Sequence, residues 1–200
     1  MPKIAAVILV GGKACRLNGQ NKCDLMVGRK TCLEWTLELF REDIQNMALS
    51  VGQTDRFGHA KDYQIIFDWP HKHDDSGVAF AILGSLAWAR DTGFDAIITV
   101  PVDTPHLSKT YSKDLIQHYN EQQPVVFETP EGLQGLHAIW PVKCFEEVKK
   151  IIVGGDIRKI SLLHNSLKSE IIHISGSRAE QFQNINTAES LETARKYIEI

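Results

Sequence analysis

The stretch that decides the fold is Ile4-Ala-Ala-Val-Ile-Leu-Val-Gly-Gly12, an apolar run that ends in two glycines. A continuous apolar run of this kind is typical of a strand buried on both faces of a parallel sheet. The chain continues as Lys13-Ala-Cys-Arg-Leu17 and soon reaches Lys22. Glycine has no Cβ, so its backbone N–H groups can approach phosphate oxygens, and Arg16 and Lys22 can neutralise the remaining charge. The stretch therefore predicts a polyphosphate-binding loop.

Further short apolar runs predict strands at residues 48–51, 65–67, 96–100 and 125–127. Between them, helical spacing predicts helices at residues 33–40, 78–88 and 112–119. The later part of the chain predicts strands at 136–140 and 171–174 and helices at 144–152, 157–163 and 187–197. We therefore expect an α/β protein with three layers, a mostly parallel sheet and some antiparallel additions late in the chain.

The composition limits the class of protein. With 200 residues, of which 43% are hydrophobic, the chain can bury one large core, and we expect a single domain. A net charge of -3 and a pI of about 6.2 argue against nucleic acid or an anionic membrane as the main partner. No apolar run is long enough to span a bilayer, so we expect a cytoplasmic protein. None of the four cysteines forms a CxxC pair, and we expect reduced thiols.

Ligands of parallel sheets bind beyond the carboxyl ends of the strands. That rule selects Gly11 and Gly12 after the first strand, Ser50 to Gln53 after the second, Asp68 after the third and Asp103 after the fourth.

Asp103 stands in the turn Pro101-Val-Asp-Thr-Pro105, which follows an apolar strand. The two prolines stiffen this turn, and a fixed carboxylate suits Mg²⁺ that is shared with substrate phosphates. Asp68 can accept a hydrogen bond from a ribose hydroxyl or from the donor edge of a base. Each aspartate can also serve only to cap its turn. Gly77 opens the apolar helix that follows, whose N-terminal N–H groups would face the same crevice.

The order of these motifs resembles that of the molybdenum cofactor guanylyltransferases. The resemblance runs from Ile4 to the terminal helix and rests on Leu-x-Gly-Gly-x-x-x-Arg-Leu at 9–17, Lys22, Asp68, Gly77, Pro-x-Asp-Thr-Pro at 101–105 and Phe-Gln-Asn-Ile-Asn-Thr at 182–187. It implies a Rossmann-like nucleotidyltransferase that joins GMP from GTP to the phosphate of molybdenum-molybdopterin and releases pyrophosphate. It also leaves open transient contacts with proteins that insert the cofactor or receive it.

The resemblance assigns nucleotide binding to a half of about residues 1–105 and acceptor binding to about 106–200. In the first half it implies that the nucleotide contacts Leu9, Val10, Gly11, Gly12, Lys22, Ser50, Asp68, Gly77 and Asp103. Arg16, Lys22 and Asp103 would be catalytic, and Asp103 would bind the Mg²⁺ cofactor. In the second half, His137, Arg158, Asn184 and Asn186 would lie toward the acceptor.

Several residues depart from the family pattern. Val10 replaces the usual alanine, Asn21 an aspartate and Ser50 an asparagine that helps to read the base. Gly77-Val-Ala-Phe-Ala81 replaces Gly-Pro-Leu-Ala-Gly at the start of the middle helix.

Three alternative functions stay open. Two are catalytic, a CTP-dependent molybdopterin cytidylyltransferase and a sugar-phosphate nucleotidyltransferase, and the third is a non-catalytic nucleotide-binding module. Within the family, the pair Gly11-Gly12 favours the guanine users.

Overall fold

The apolar runs form one seven-stranded sheet. Its strands are β1 (Ile4–Leu9), β2 (Met47–Ser50), β3 (Gln64–Ile66), β4 (Ala96–Pro101), β5 (Val125–Thr129), β6 (Gly132–Pro141) and β7 (Glu170–His173). The structure, a computed structural model, describes residues 1–11, 16–17, 20–52, 63–70, 77–155 and 157–198.

The order of the strands across the sheet is β7-β5-β6-β4-β1-β2-β3. Strand β1 lies inside the sheet and pairs in parallel with both β2 and β4. Strand β6 runs antiparallel to its two neighbours, β4 and β5, whereas β7 is parallel to β5. The predicted α/β class with a mostly parallel sheet and a late antiparallel addition is confirmed.

Helices cover both faces of the sheet. They are α1 (Cys32–Phe40), α2 (Val78–Thr92), α3 (Tyr111–His118), α4 (Phe145–Lys149), α5 (Ile160–Ser166), α6 (Ser177–Glu180) and α7 (Ala188–Ile198). A short 3-10 helix spans Lys22–Asp24, and another spans Val142–Cys144. No helix among the described residues combines the length and the apolar character that a membrane crossing requires.

Alternating residues of β1 supply the two halves of the core. Ile8 packs with Phe40 and Leu115 on the face that α1 and α3 cover. Val7 packs with Leu83 of α2 and Phe145 of α4 on the other face. Helices therefore pack against both faces of β1, which is apolar at every position, as its sequence predicts.

Local sequence also determines where α1 begins. The Thr31 hydroxyl accepts a hydrogen bond from the Glu34 N–H at 3.1 Å, and the Glu34 carboxylate accepts one from the Thr31 N–H at 2.7 Å. This reciprocal pair is a capping box, which fixes the first turn of a helix. The capped end matters for function, because Cys32 at the start of α1 lies close to the site described below.

Candidate active site

The carboxyl ends of the parallel strands lie side by side at one edge of the sheet. Leu9 is paired in register with Ser50 on one side and with Pro101 on the other. The Val10 and Gly11 N–H groups both donate to the Ser50 carbonyl, at 2.9 and 3.0 Å, and the Val102 N–H donates to the Leu9 carbonyl at 3.2 Å. The segments that follow the strands are thus bonded to one another.

Asp103 lies in a turn that is closed by its neighbours. The buried Thr104 hydroxyl donates to the Pro101 carbonyl at 3.1 Å. The Ile185 N–H donates to the Asp103 carbonyl at 2.8 Å, which ties this turn to the segment before α7. The Asp103 side chain is 16% exposed, so it is mostly but not fully buried.

Lys22 connects the turn that carries Asp103 with the segment before α7. Its ammonium donates to Asp103 Oδ2 at 2.7 Å and to Asn186 Oδ1 at 2.6 Å. The lysine side chain is only 4% exposed. Hydrogen bonds between charged groups are stronger than neutral ones, and they hold the buried ammonium in place. Two residues that the sequence selected independently, Lys22 and Asp103, are therefore in direct contact.

The backbone around Lys22 is fixed by local bonds. Asn21 caps the 3-10 helix, because its side-chain oxygen accepts the Cys23 N–H at 3.3 Å. The Leu25 N–H donates to the Lys22 carbonyl, and the Cys32 N–H donates to the Leu25 carbonyl at 2.9 Å. Asparagine and aspartate cap helices about equally well, so this departure from the family pattern leaves the local structure intact.

The electrostatic field of the site reaches α1. The pKa of the Cys32 thiol is raised to about 12, mainly by burial and also by the nearby Asp103 carboxylate, while Lys22 acts in the opposite direction. The thiol is therefore protonated at neutral pH and behaves as a small buried side chain.

Glycine is required at position 11 because the backbone of residues 51–52 lies against it. A Cβ on Gly11 would lie 2.7 Å from Gly52 N and 2.7 Å from the Val51 carbonyl carbon. Its missing side chain therefore allows the end of β1 to pack against residues 51–52, which is a different reason from the approach to phosphate that the sequence suggested. Gly12 and the Arg16 side chain lie outside the described residues, so their predicted contacts stay predictions.

The two other strand-end residues are partly or fully covered. Ser50 is 1% exposed, and its hydroxyl has no hydrogen-bond partner in the described part of the chain. Asp68 is half-buried, and its N–H donates to the Gly52 carbonyl at 3.0 Å. Both residues lie at the predicted edge of the sheet. Because Ser50 is buried, its hydroxyl can contact a nucleotide base only if the residues around it move.

Gly77 and Arg158 are neighbours, although the sequence assigned them to different substrates. Gly77 is the N-cap residue of α2, and a Cβ on it would lie 3.4 Å from Arg158 Cβ. A helix N-terminus carries a partial positive charge, and the backbone of Arg158 lies beside it here. This corner is therefore electrically suited to an anionic group.

Two of the residues predicted to face the acceptor are not brought to Lys22. His137 is 2% exposed, and its ring lies 5.8 Å from the ring of Tyr111 and 5.0 Å from that of Phe182. Burial lowers the pKa of His137 to about 3, so the ring is neutral. Asn184 is exposed at the surface. Asn186, two residues later, is the asparagine that contacts Lys22.

The comparison with protein families assigns the chain. The model of the MobA-like NTP transferase domain matches residues 6–168. The chain belongs to this family. Lys22 and Asp103 fall inside the matched segment, whereas Asn186 lies beyond it.

Curated relatives of this MobA-like transferase share its full length. The molybdenum cofactor guanylyltransferase of Acidiphilium cryptum is 26% identical and covers 96% of this chain and 93% of its own. The protein of the same name from Mesorhizobium japonicum is 26% identical and covers 98% and 96%.

Solved structures agree on the fold. A molybdopterin-guanine dinucleotide biosynthesis protein A from Archaeoglobus fulgidus superimposes with a TM-score of 0.70 at 20% identity, covering 98% of both chains. A 4-diphosphocytidyl-2C-methyl-D-erythritol synthase from Anaerococcus prevotii gives a TM-score of 0.72 at 16% identity and covers 100% of this chain and 97% of its own. Since both structures fit equally well, the fold alone does not choose the substrate.

Sequence reasoning missed two contributors to the site of this MobA-like transferase. Thr104 closes the turn that carries Asp103, and the backbone of Ile185 ties that turn to α7. Threonine between Asp103 and Pro105 is a recognisable turn signal, since its hydroxyl readily bonds a nearby backbone group. Nothing in the sequence around Ile185 signals its contact with Asp103.

Proposed function

We propose that this chain is a molybdenum cofactor guanylyltransferase, which transfers GMP from GTP to the phosphate of molybdenum-molybdopterin and releases pyrophosphate. The observation that carries the proposal is the bonding of Lys22 to Asp103 and Asn186 at the carboxyl ends of the parallel strands. Full-length relatives that bear this name support the choice of substrates. We propose that this reaction takes place in the cytoplasm, where buried cysteines such as Cys23, Cys32 and Cys144 stay reduced.

The donor atoms at this position fit a hard cation. The Lys22 ammonium lies between a carboxylate oxygen of Asp103 and an amide oxygen of Asn186, and oxygen atoms are the ligands that Mg²⁺ prefers. Asp103 would hold Mg²⁺ together with the phosphates of the nucleotide. When bound, the ion would neutralise charge on the α-phosphate and on the leaving pyrophosphate.

The residues of the chain supply position and charge. When the nucleotide binds, the Lys22 ammonium would exchange its bond to Asp103 for bonds to phosphate oxygens. Arg16 would add a second cation on the same side. The acceptor is a phosphate that is already ionised, so the displacement at phosphorus requires no general base. Catalysis then rests on holding two anions together and on neutralising the charge that develops.

The test is turnover of each nucleoside triphosphate with molybdenum-molybdopterin and Mg²⁺, followed by identification of the dinucleotide. We expect the guanine dinucleotide and stoichiometric pyrophosphate. A cytosine dinucleotide would identify the CTP-dependent alternative, and transfer only to a sugar phosphate would identify the other. Nucleotide binding without pyrophosphate release would identify a non-catalytic module.

Two variants and two controls test the proposed machinery. Lys22→Ala and Asp103→Ala should each lower kcat by about a hundredfold or more, because each removes charge stabilisation at the reacting phosphate. Lys143→Ala and Asp91→Ala remove exposed partners of surface ion pairs and should leave kcat unchanged. Normal pyrophosphate release by either site variant would overturn the assignment.

A further inference from the structure

Gly84 lies in the interior of α2, where glycine is an unfavourable residue. Glycine within a helix costs about 0.5–1 kcal/mol relative to alanine. Elsewhere on α2 the buried small residues all carry a Cβ, namely Ala79, Ala81, Ser85, Ala87 and Ala89. A specific reason for glycine at position 84 is therefore required.

The reason is a close approach of the backbone after β3. A Cβ on Gly84 would lie 2.3 Å from the Phe67 carbonyl oxygen, 2.9 Å from Trp69 N and 3.2 Å from the Asp68 carbonyl carbon. All three atoms belong to the main chain, so no rotation of a side chain can relieve the overlap. Alanine at position 84 must displace either the helix or residues 67–69.

The same residues are bonded on both sides. The Trp69 N–H donates to the Phe80 carbonyl of α2 at 3.0 Å, and the Asp68 N–H donates to the Gly52 carbonyl at 3.0 Å. The Val51 N–H donates to the Ile66 carbonyl at 3.0 Å, just before this segment. The backbone of Asp68 is therefore held between α2 and residues 51–52, and its distance from α2 is set by the missing side chain of Gly84.

We propose that Gly84 is a positioning residue that sets the place of Asp68 and thereby the affinity for the nucleoside part of the substrate. The proposal rests on the proposed function, in which Asp68 accepts a hydrogen bond from the nucleoside. A hydrogen bond to a charged acceptor depends strongly on distance and angle. A shift of the backbone between positions 67 and 69 therefore weakens that bond, while Lys22 and Asp103 keep their places.

The first experiment compares Gly84→Ala with the unmodified chain. Calorimetric titration with GTP should show an affinity lower by about tenfold, and the KM for GTP should rise by a similar factor with kcat within about threefold. Gly93→Ala is the matched control. Gly93 ends the same helix at a φ of 78° and has no atom near its missing Cβ, so alanine there strains the helix without touching Asp68. This control should leave the affinity for GTP unchanged.

A double substitution shows whether Gly84 acts through Asp68. If it does, Gly84→Ala should add little to the effect of Asp68→Ala, because the bond that it weakens is already absent. Additive effects of the two substitutions would overturn the proposal. So would an unchanged affinity for GTP in Gly84→Ala, or a loss of kcat without a change in KM.

A second variant covers the outcome in which Gly84→Ala does not fold. Gly52 has a φ of 90°, and a Cβ there meets no atom within 4 Å, so Gly52→Ala strains the other support of Asp68 without entering the core. It should lower the affinity for GTP in the same way, and an unchanged affinity would then decide against the proposal. Because affinity is measured without acceptor, a chain that binds GTP but transfers nothing would contradict the proposed function alone.

Discussion

Lys22 is bonded to the Asp103 carboxylate, which is the group that a metal ion would use. Its ammonium is bonded to Asp103 in the unliganded chain, and the lysine side chain is almost fully buried. A divalent cation that binds without nucleotide must therefore compete with a tethered positive charge. The exchange of Lys22 from Asp103 to phosphate would couple binding of the metal to binding of the nucleotide.

The first prediction at this scale concerns metal affinity. Lys22→Met keeps much of the apolar stem and removes the competing charge, so it should bind Mn²⁺ alone at least fivefold more tightly than the unmodified chain, while turnover collapses. Titration calorimetry or electron paramagnetic resonance without nucleotide measures this affinity. Lys30→Met, which removes the cation paired with Glu38, should bind Mn²⁺ as the unmodified chain does. Weaker binding by Lys22→Met would contradict the competition.

The second prediction separates the two asparagines. Asn186→Ala removes one of the two acceptors that hold the Lys22 ammonium and should lower kcat/KM for GTP by about tenfold. Asn184→Ala changes an exposed residue on the other side of Ile185 and should leave the KM for GTP unchanged. Steady-state kinetics with GTP varied at saturating acceptor measures both. Equal effects of the two substitutions on GTP would show that Lys22 does not depend on Asn186.

At the scale of elements, the start of α7 supports the site. The Ser190 hydroxyl accepts hydrogen bonds from the Asn186 N–H at 3.0 Å and the Thr187 N–H at 2.9 Å. In return, the Thr187 hydroxyl accepts the Ser190 N–H at 3.1 Å. The cap of this helix therefore fixes the backbone that presents Asn186 to Lys22.

The third prediction follows from this cap. Ser190→Ala should lower the free energy of unfolding by about 1 kcal/mol, because two N–H groups lose their acceptor. Ser190→Asp restores an acceptor near a helix N-terminus and should keep most of that stability. Thr193→Ala, whose hydroxyl bonds only the carbonyl of Glu189 inside the helix, is the control and should change stability by less than about 0.5 kcal/mol. Urea unfolding followed by circular dichroism measures all three.

The elements differ in how well the sequence predicts them. The strands are predicted because unbroken apolar runs occur where both faces are buried, as in β1. The predicted helix at 144–152 is divided in the structure into α4 and a π-helical turn at Lys150–Gly154, since local spacing does not distinguish the two. The two-residue ribbon that pairs Met26–Val27 with Lys30–Thr31 is too short to leave a periodic pattern.

The sequence predicts the site residues that stand directly after a strand, but it does not predict which of them are buried. Asp103 and Lys22 carry charges at positions that the sheet rule and the glycine loop select. The burial of Ser50 and His137 depends on which face of a strand packs against a helix or an aromatic cluster. The local sequence shows neither the packed face nor the element that covers it. The need for glycine at positions 11 and 84 likewise comes from segments distant in sequence, residues 51–52 and 67–69.

At the scale of the whole molecule, two buried histidines make stability depend on pH. Burial lowers the pKa of His137 to about 3 and that of His164 to about 4, from ordinary values of 6.5. The His164 ring bonds the Gly135 carbonyl and the Ser169 hydroxyl, and burial outweighs the carbonyl, which alone would raise the pKa. Below pH 6.5 these histidines bind protons in the unfolded chain but stay neutral in the folded chain. The free energy of unfolding therefore decreases as the pH falls from about 6.5 toward 4.

The fourth prediction uses His137→Leu. This substitution removes one titrating group and a buried ring nitrogen without a partner among the described residues, so it should reduce the loss of stability between pH 6 and pH 5 by about 1 kcal/mol. Urea unfolding at each pH gives the free energies, and an unchanged slope in His137→Leu would contradict the pKa shift. The KM for the acceptor in the same variant tests the predicted contact of His137.

The three side chains bonded at Lys22 come from the early, middle and late parts of the sequence. Lys22 and Asp103 are 81 residues apart, and Lys22 and Asn186 are 164 residues apart. During synthesis, strands β1 to β4 leave the ribosome long before Asn186 does. The charged centre is therefore completed only after Asn186 has emerged. A nascent chain that ends before Asn186 holds Lys22 without one of its two acceptors, so the site forms only after translation has passed this residue.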